Sequence, residues 1–131
     1  MHVISITSKL QSFAIIKMKE AGMSHINLKD IQTEINIRGI KAKTLVDHNN
    51  ATIKNLILDK GDKIPNHQVP VDVTFFVLQG KGTITIDGVD YHVKPMDTIT
   101  CPPNTIMSVQ ADTNQDLSFL NIKTPGFKPK K

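Results

Sequence analysis

The chain has no tryptophan, one tyrosine and one cysteine among 131 residues, and each scarcity excludes something. A lone Cys101 rules out an internal disulfide and any cysteine-built zinc cluster, and it suits a reducing compartment, so a cytoplasmic setting is expected. With aromatics at 5%, the core has to be built from Ile, Val and Leu, and the β-branched members of that set favour pleated surfaces. Long apolar runs are missing too. No stretch approaches the roughly 20 apolar residues needed to span a bilayer, so no membrane partner is expected. The N-terminal MHVISITSKLQSFAIIKMKEAG fails as a signal peptide because its longest apolar run is Phe13 to Ile16, lysines interrupt it, and no small-residue cleavage site follows. Two readings of that segment stand: a helical or irregular extension packed on the body or on a neighbouring subunit, or residues upstream of an internal start at Met23.

A basic folded body is also absent, although the formal charge is +4. Residues 1 to 60 hold nine Lys/Arg against five Asp/Glu, residues 61 to 122 hold three against seven, and residues 123 to 131 hold four against none. The positive surplus therefore sits on the flanks. Nucleic-acid binding calls for a basic stripe with interleaved aromatics on the body, so no nucleic-acid partner is expected, and the lysine-rich end reads as a solvated tail. Length and composition fit one domain, divided here into an N-terminal extension (1–24), a body (25–122) and a basic C-terminal tail (123–131).

What is present is a succession of short strands. INLKDI, from Ile26 to Ile31, has the pattern of a strand leading into a turn, and Ile35 and Ile37 alternate with polar neighbours. Lys41 to Val46 and Ala51 to Leu58 read as an antiparallel pair joined by Asp47-His48-Asn49-Asn50, whose Asn residues tolerate positive φ. TITIDGVDYHV contains the strongest hairpin signal, since Asp87-Gly88 is a two-residue type I′ turn sequence. Its register follows: Ile86 opposite Val89, Thr85 opposite Asp90, Ile84 opposite Tyr91 and Thr83 opposite His92, with His92 on the wet face. Further strands are expected at Val73 to Leu78, Thr98 to Cys101, Ile106 to Val109 and Leu117 to Ile122, with a rigid corner at Pro102-Pro103-Asn104. Turn signals every eight to twelve residues and a single candidate helix point to an all-β sandwich or barrel.

The glycines and the stretch VLQGKGTITIDG make residues 26 to 122 resemble the cupin family of double-stranded β-helix (jelly-roll) barrels. The first cupin motif, built on Gly, His-x-His, Glu and Gly, falls on Gly61, His67, Val69, Val73 and Gly80; the second, built on Gly, Pro-x-Gly, His and Asn, falls on Met96, Pro102, Asn104, Met107 and Ala111. In that family the two His of the first motif share a strand face and, with the Glu and the later His, surround a divalent metal. Here Val69, Val73 and Met107 stand at three of the four ligand positions, and only His67 remains. One imidazole does not hold a divalent ion tightly, and the Met107 thioether suits only copper(I). A one-residue bulge would turn Asp72 inward and recover a carboxylate, still short of a full shell.

The resemblance thus implies the barrel without its usual metal, and no cofactor is expected. The leading expectation is a metal-free pocket for a small organic ligand formed by His67, Val69, Val73, Phe75 and Met107, an apolar cavity with one polar group. Two alternatives stand beside it: a metal-dependent dioxygenase or isomerase using His67, and a structural or partner-binding barrel filled by these same side chains. His2, His25, His48 and His92 fall at the terminus, near turns or on the wet face, and Cys101 reads as a buried small hydrophobe. Phe76 and Leu78 alternate with the inward residues and so face outward, where a second subunit or the N-terminal extension is the expected cover; a homodimer is expected, with residues 1–24 as a candidate contributor.

Overall fold

The computed structural model describes residues 25–127; the expected N-terminal extension and most of the basic tail lie outside the described residues. A single 3₁₀ turn, Leu28–Asp30, precedes ten strands: β1 (Glu34–Ile35), β2 (Lys41–His48), β3 (Ala51–Leu58), β4 (Lys63–His67), β5 (Asp72–Gly80), β6 (Gly82–Ile86), β7 (Val89–Val93), β8 (Thr98–Cys101), β9 (Met107–Ala111) and β10 (Leu117–Thr124). They form a six-stranded sheet in the order β1-β2-β3-β10-β5-β8 and a four-stranded sheet in the order β4-β9-β6-β7. Every pairing is antiparallel. Two such sheets face to face, with connections that cross between them, make a jelly-roll barrel of the double-stranded β-helix type.

Alternation explains which side of each strand is inside. Along β5, Val73, Phe75 and Val77 are 1%, 1% and 0% exposed, while Thr74, Phe76 and Leu78 between them are half-buried on the outer face. On β10, Leu117 and Phe119 turn inward, and the Phe119 ring meets Phe75 with centroids 5.6 Å apart and planes tilted by 57°, a favoured aromatic geometry. From the other sheet Ile64, Ile84, Met107 and Val109 complete the core. Gly80 and Gly82 admit β10 and β9 close by: a Cβ on Gly80 would strike the Asp116 carbonyl oxygen, and one on Gly82 the Gln110 carbonyl oxygen.

The β6–β7 hairpin has the register expected from its turn, with Thr83 opposite His92 and Ile84 opposite Tyr91, and Asp87 and Gly88 both at positive φ (49° and 80°). Its wet face is laced by Thr85 Oγ1 donating to Asp90 (2.7 Å) and by a Thr83–His92 contact of 3.1 Å.

Three local expectations are corrected. Leu28–Asp30 is a 3₁₀ turn and not a strand, because the Asn27 side chain accepts from the Lys29 amide at 2.9 Å and caps the turn. The β2–β3 connection tightens to Asn49-Asn50, as β2 continues through His48. Finally, β10 runs past residue 122 to Thr124, so Lys123 is a strand residue paired with Thr52 and Val73 and not the start of a tail.

Candidate functional site

Strand pairing sorts the inward side chains of the larger sheet into rows across the strands. Ala42, Leu56, Phe119 and Val77 form one row, Thr44, Lys54, Asn121 and Phe75 the next, and Asp47, Thr52, Lys123, Val73 and Cys101 the last. The first is apolar throughout. In the other two, β5 and β8 still contribute apolar groups, whereas β2, β3 and β10 contribute hydroxyls, an amide, the Asp47 carboxylate and two ammonium groups.

Where the rows turn polar the barrel opens into a cavity of about 690 Å³. Leu56, Ile64, Val69, Phe75 and Val109 give it an apolar lining, and Lys54, Asn121, Lys123 and His67 give it polar walls. The β1–β2 hairpin contributes Glu34 and Arg38, and Phe127 also lines the cavity. That hairpin is held tight by Asn36, whose side-chain oxygen accepts from the amides of Arg38 (2.9 Å) and Ile40 (3.0 Å), while Gly39 takes φ of 79°. Phe127 is fixed by its amide donating to Thr52 Oγ1 at 3.0 Å, and its ring lies 6.0 Å from the Lys123 ammonium, at the outer reach of a cation–π contact.

Of the residues expected at the site, His67, Val69 and Phe75 line the cavity. Val73 and Met107 do not; each is 1% exposed and sealed in the packed core. His67 sits at the end of β4 opposite Met107, half-buried, with Nδ1 2.9 Å from the Pro65 carbonyl. That carbonyl can only accept, so Nδ1 carries the proton and Nε2 is the acceptor edge. Burial lowers the His67 pKa, the bond to Pro65 partly opposes this, and Arg38 and Lys123 push it down further. The ring is therefore neutral at pH 7. Cys101 is 2% exposed with its thiol against the Pro102 and Thr105 carbonyls, and burial raises its pKa, so it packs as a small hydrophobe.

The sequence reading did not single out Lys54, Lys123, Arg38 or Asn121. Lys54 and Lys123 occupy diagonal positions on the same face of the β3–β10 pair, since Lys54 opposes Asn121 and Lys123 opposes Thr52. Burial first, and then the charges of Lys54 and Arg38, lower the Lys123 pKa from 10.5 to about 8. The ion pairs Lys41–Asp59 and Lys94–Asp97 involve none of the three cavity cations. The only hint in the sequence was the basic surplus of the flanks, which pairing with β3 and β5 carries into the barrel.

A metal of the kind the jelly-roll motif usually holds does not fit these residues. The four motif positions present one imidazole, two isopropyl groups and a buried thioether. Asp72, the other conceivable donor, is exposed, and the strand shows no bulge beside it. Among the described residues no three His, Cys, Asp or Glu side chains come together, and a lone imidazole is too few donors for a divalent shell.

The chain is similar to a family of known proteins and to several solved structures. The model of the Cupin domain family matches residues 55–123. No curated protein matches the sequence. Among solved structures, KdgF from Halomonas sp. is 20% identical with a TM-score of 0.71 over 79% of this chain and 93% of that one. An RmlC-like cupin from Shewanella frigidimarina is 17% identical with a TM-score of 0.72 over 79% and 91%, and the polyketide cyclase RemF from Streptomyces resistomycificus is 17% identical with a TM-score of 0.73 over 82% and 82%. At such identities these likenesses speak to the fold. With the family match spanning more than half of the sequence, the chain belongs to the cupin family.

Proposed function

We propose that this cupin binds a small organic molecule in the open end of its barrel without a metal cofactor. The observation that carries the reading is the 690 Å³ cavity, which is within the size range of metabolite pockets and combines an apolar lining with a few convergent polar groups, His67 among them. The alternative of a filled structural barrel would leave no such space, and the alternative of a metal-dependent dioxygenase or isomerase would need donors beside His67. Elemental analysis of protein purified without a metal-affinity tag is expected to find no stoichiometric iron, nickel, manganese or zinc. Near-equimolar metal that disappears in His67→Ala would overturn the proposal. A fragment screen followed by NMR should in turn shift His67, Val69 and Phe75 together.

The half-buried apolar patch formed by Ile53 beside Ile122 and Leu120 beside Phe76 on the outer face of the larger sheet supports a homodimer, since a lone outer face favours polar residues. Light scattering should give twice the chain mass; a monodisperse monomer would refute the dimer. A cytoplasmic setting goes with the unpaired buried Cys101. No helix among the described residues is long and apolar enough to cross a membrane.

A further inference from the structure

We infer that the ligand of this cavity is an amphipathic anion, an apolar body bearing a carboxylate or similar oxyanion, with its charged end received by Lys123, Lys54 and Arg38. The inference rests on the small-molecule reading above and names the ligand's chemical class.

Its basis is where charge and apolarity lie. Three cations from three elements line one cavity: Lys54 from β3, Lys123 from β10 and Arg38 from the β1–β2 hairpin, with Glu34 the single acid on the same lining. None is ion-paired among the described residues, and Lys54 and Lys123 are diagonal neighbours on one face, where like charges repel. Folding has placed them together with Glu34 the one acid on the lining and with no ion pair to any of the three among the described residues. Such an arrangement destabilises the empty barrel and is relieved by a negative group set between the ammonium heads.

A second observation points the same way. Asn121 lies between the two lysines in the β3–β10 ladder and is 7% exposed, yet its side-chain amide has no hydrogen bond among the described residues. Among the described residues no wholly enclosed side-chain polar atom is left unsatisfied, so what exposure the amide keeps is toward the cavity it lines. It is a donor ready for an oxyanion beside the lysines. Below this polar wall, Val69, Phe75 and Val109 offer a surface for the ligand's apolar body, which makes inorganic phosphate alone a poorer fit.

Ligand charge and protonation are then coupled. The titratable and charged groups around Lys123 are Lys54 from β3, Arg38 and Glu34 from the hairpin and His67 from β4, with Asp47 of β2 in the same cross-strand row beyond Thr52; β5 presents only Val73 there, and the C-terminal segment Phe127. With the empty-state Lys123 pKa at about 8, a bound anion raises it and binding near pH 8 takes up a proton. Affinity for an anion falls as pH rises through that value.

The test uses 3-phenylpropanoate and its uncharged amide, matched in shape, titrated into the full chain and followed by the protein's amide NMR spectrum. At pH 7 the carboxylate should bind about tenfold more tightly than the amide, as a charge-assisted contact requires. That preference should shrink several-fold by pH 9.5, and in Lys123→Met it should be reduced at pH 7 and lose its pH dependence. Lys54→Met, which removes a cation but keeps the apolar stem, should also weaken the carboxylate alone. Equal binding of both probes at the cavity would overturn the anion inference and leave the small-molecule reading standing. Absence of shifts at His67, Phe75 and Asn121 with either probe at millimolar concentration would overturn both.

Discussion

The two ends of this barrel are built on opposite terms. At one end Leu58, Val77, Ile84, Leu117 and Phe119 are 0% exposed and interlocked, and glycines at 80 and 82 let the strands close over them. At the other, the same strands a few residues further on present Lys54, Asn121 and Lys123 to a cavity lined by His67 and Phe127. A strand whose inner face begins with Leu117 and Phe119 and continues with Asn121 and Lys123 serves both purposes in one run of eight residues. The contrast teaches that stability is concentrated in the packed end, while the open end carries charges that work against the fold. Proteins commonly concede such local conflicts at binding sites.

Substitutions at the two ends should therefore differ in sign as well as size. The largest effect belongs to the packed end: Phe119→Ala removes a ring packed at a tilt against Phe75 and should cost about 3–5 kcal/mol in denaturant unfolding. A cost below 1 kcal/mol would mean that the end is looser than described. At the open end, Lys123→Met keeps the stem, removes a poorly solvated charge and should raise stability at pH 7 by about 1–3 kcal/mol. The sign is set by linkage. The Lys123 pKa is about 8 folded against 10.5 free, so between these values the unfolded chain holds the extra proton and the native protein gains stability as pH rises. The advantage of Met should thus be full below pH 8 and fade toward pH 10.5; a pH-independent gain would point to packing instead.

The smallest effect concerns neither end. Met96, 73% exposed in the β7–β8 turn, holds φ of 78° where the cupin motif has glycine. Met96→Gly should stabilise by about 1 kcal/mol, since a side chain is disfavoured in the left-handed region. Thermal unfolding reads this directly, and a loss of stability would show that the side chain makes compensating contacts.

Legibility in the sequence followed the range of the interactions. The β6–β7 register was readable to the residue because a two-residue Asp-Gly turn fixes it locally. The inward run Val73, Phe75, Val77 was readable because alternation has a period of two, and the barrel through the resemblance of the glycine and motif spacing to the cupins. INLKDI misled because the Asn27 cap competes with strand formation at a single side chain. The cationic wall was not readable at all. Its placement depends on β10 pairing with β3, which sets Thr52 opposite Lys123 across a long sequence separation, and on β10 outlasting its apolar pattern by one turn of alternation. For the same reason Val73 and Met107, correct in facing inward, were expected at the cavity although the core encloses them.

The central claim is that the open end holds positive charge unpaired among the described residues and awaiting an anion, and the Lys123 side chain reports it directly. Following its ε-carbon by NMR across pH, the midpoint should fall near 8 in the free protein and move upward when 3-phenylpropanoate is added. A midpoint at the ordinary 10.5, unmoved by the carboxylate, would contradict the account.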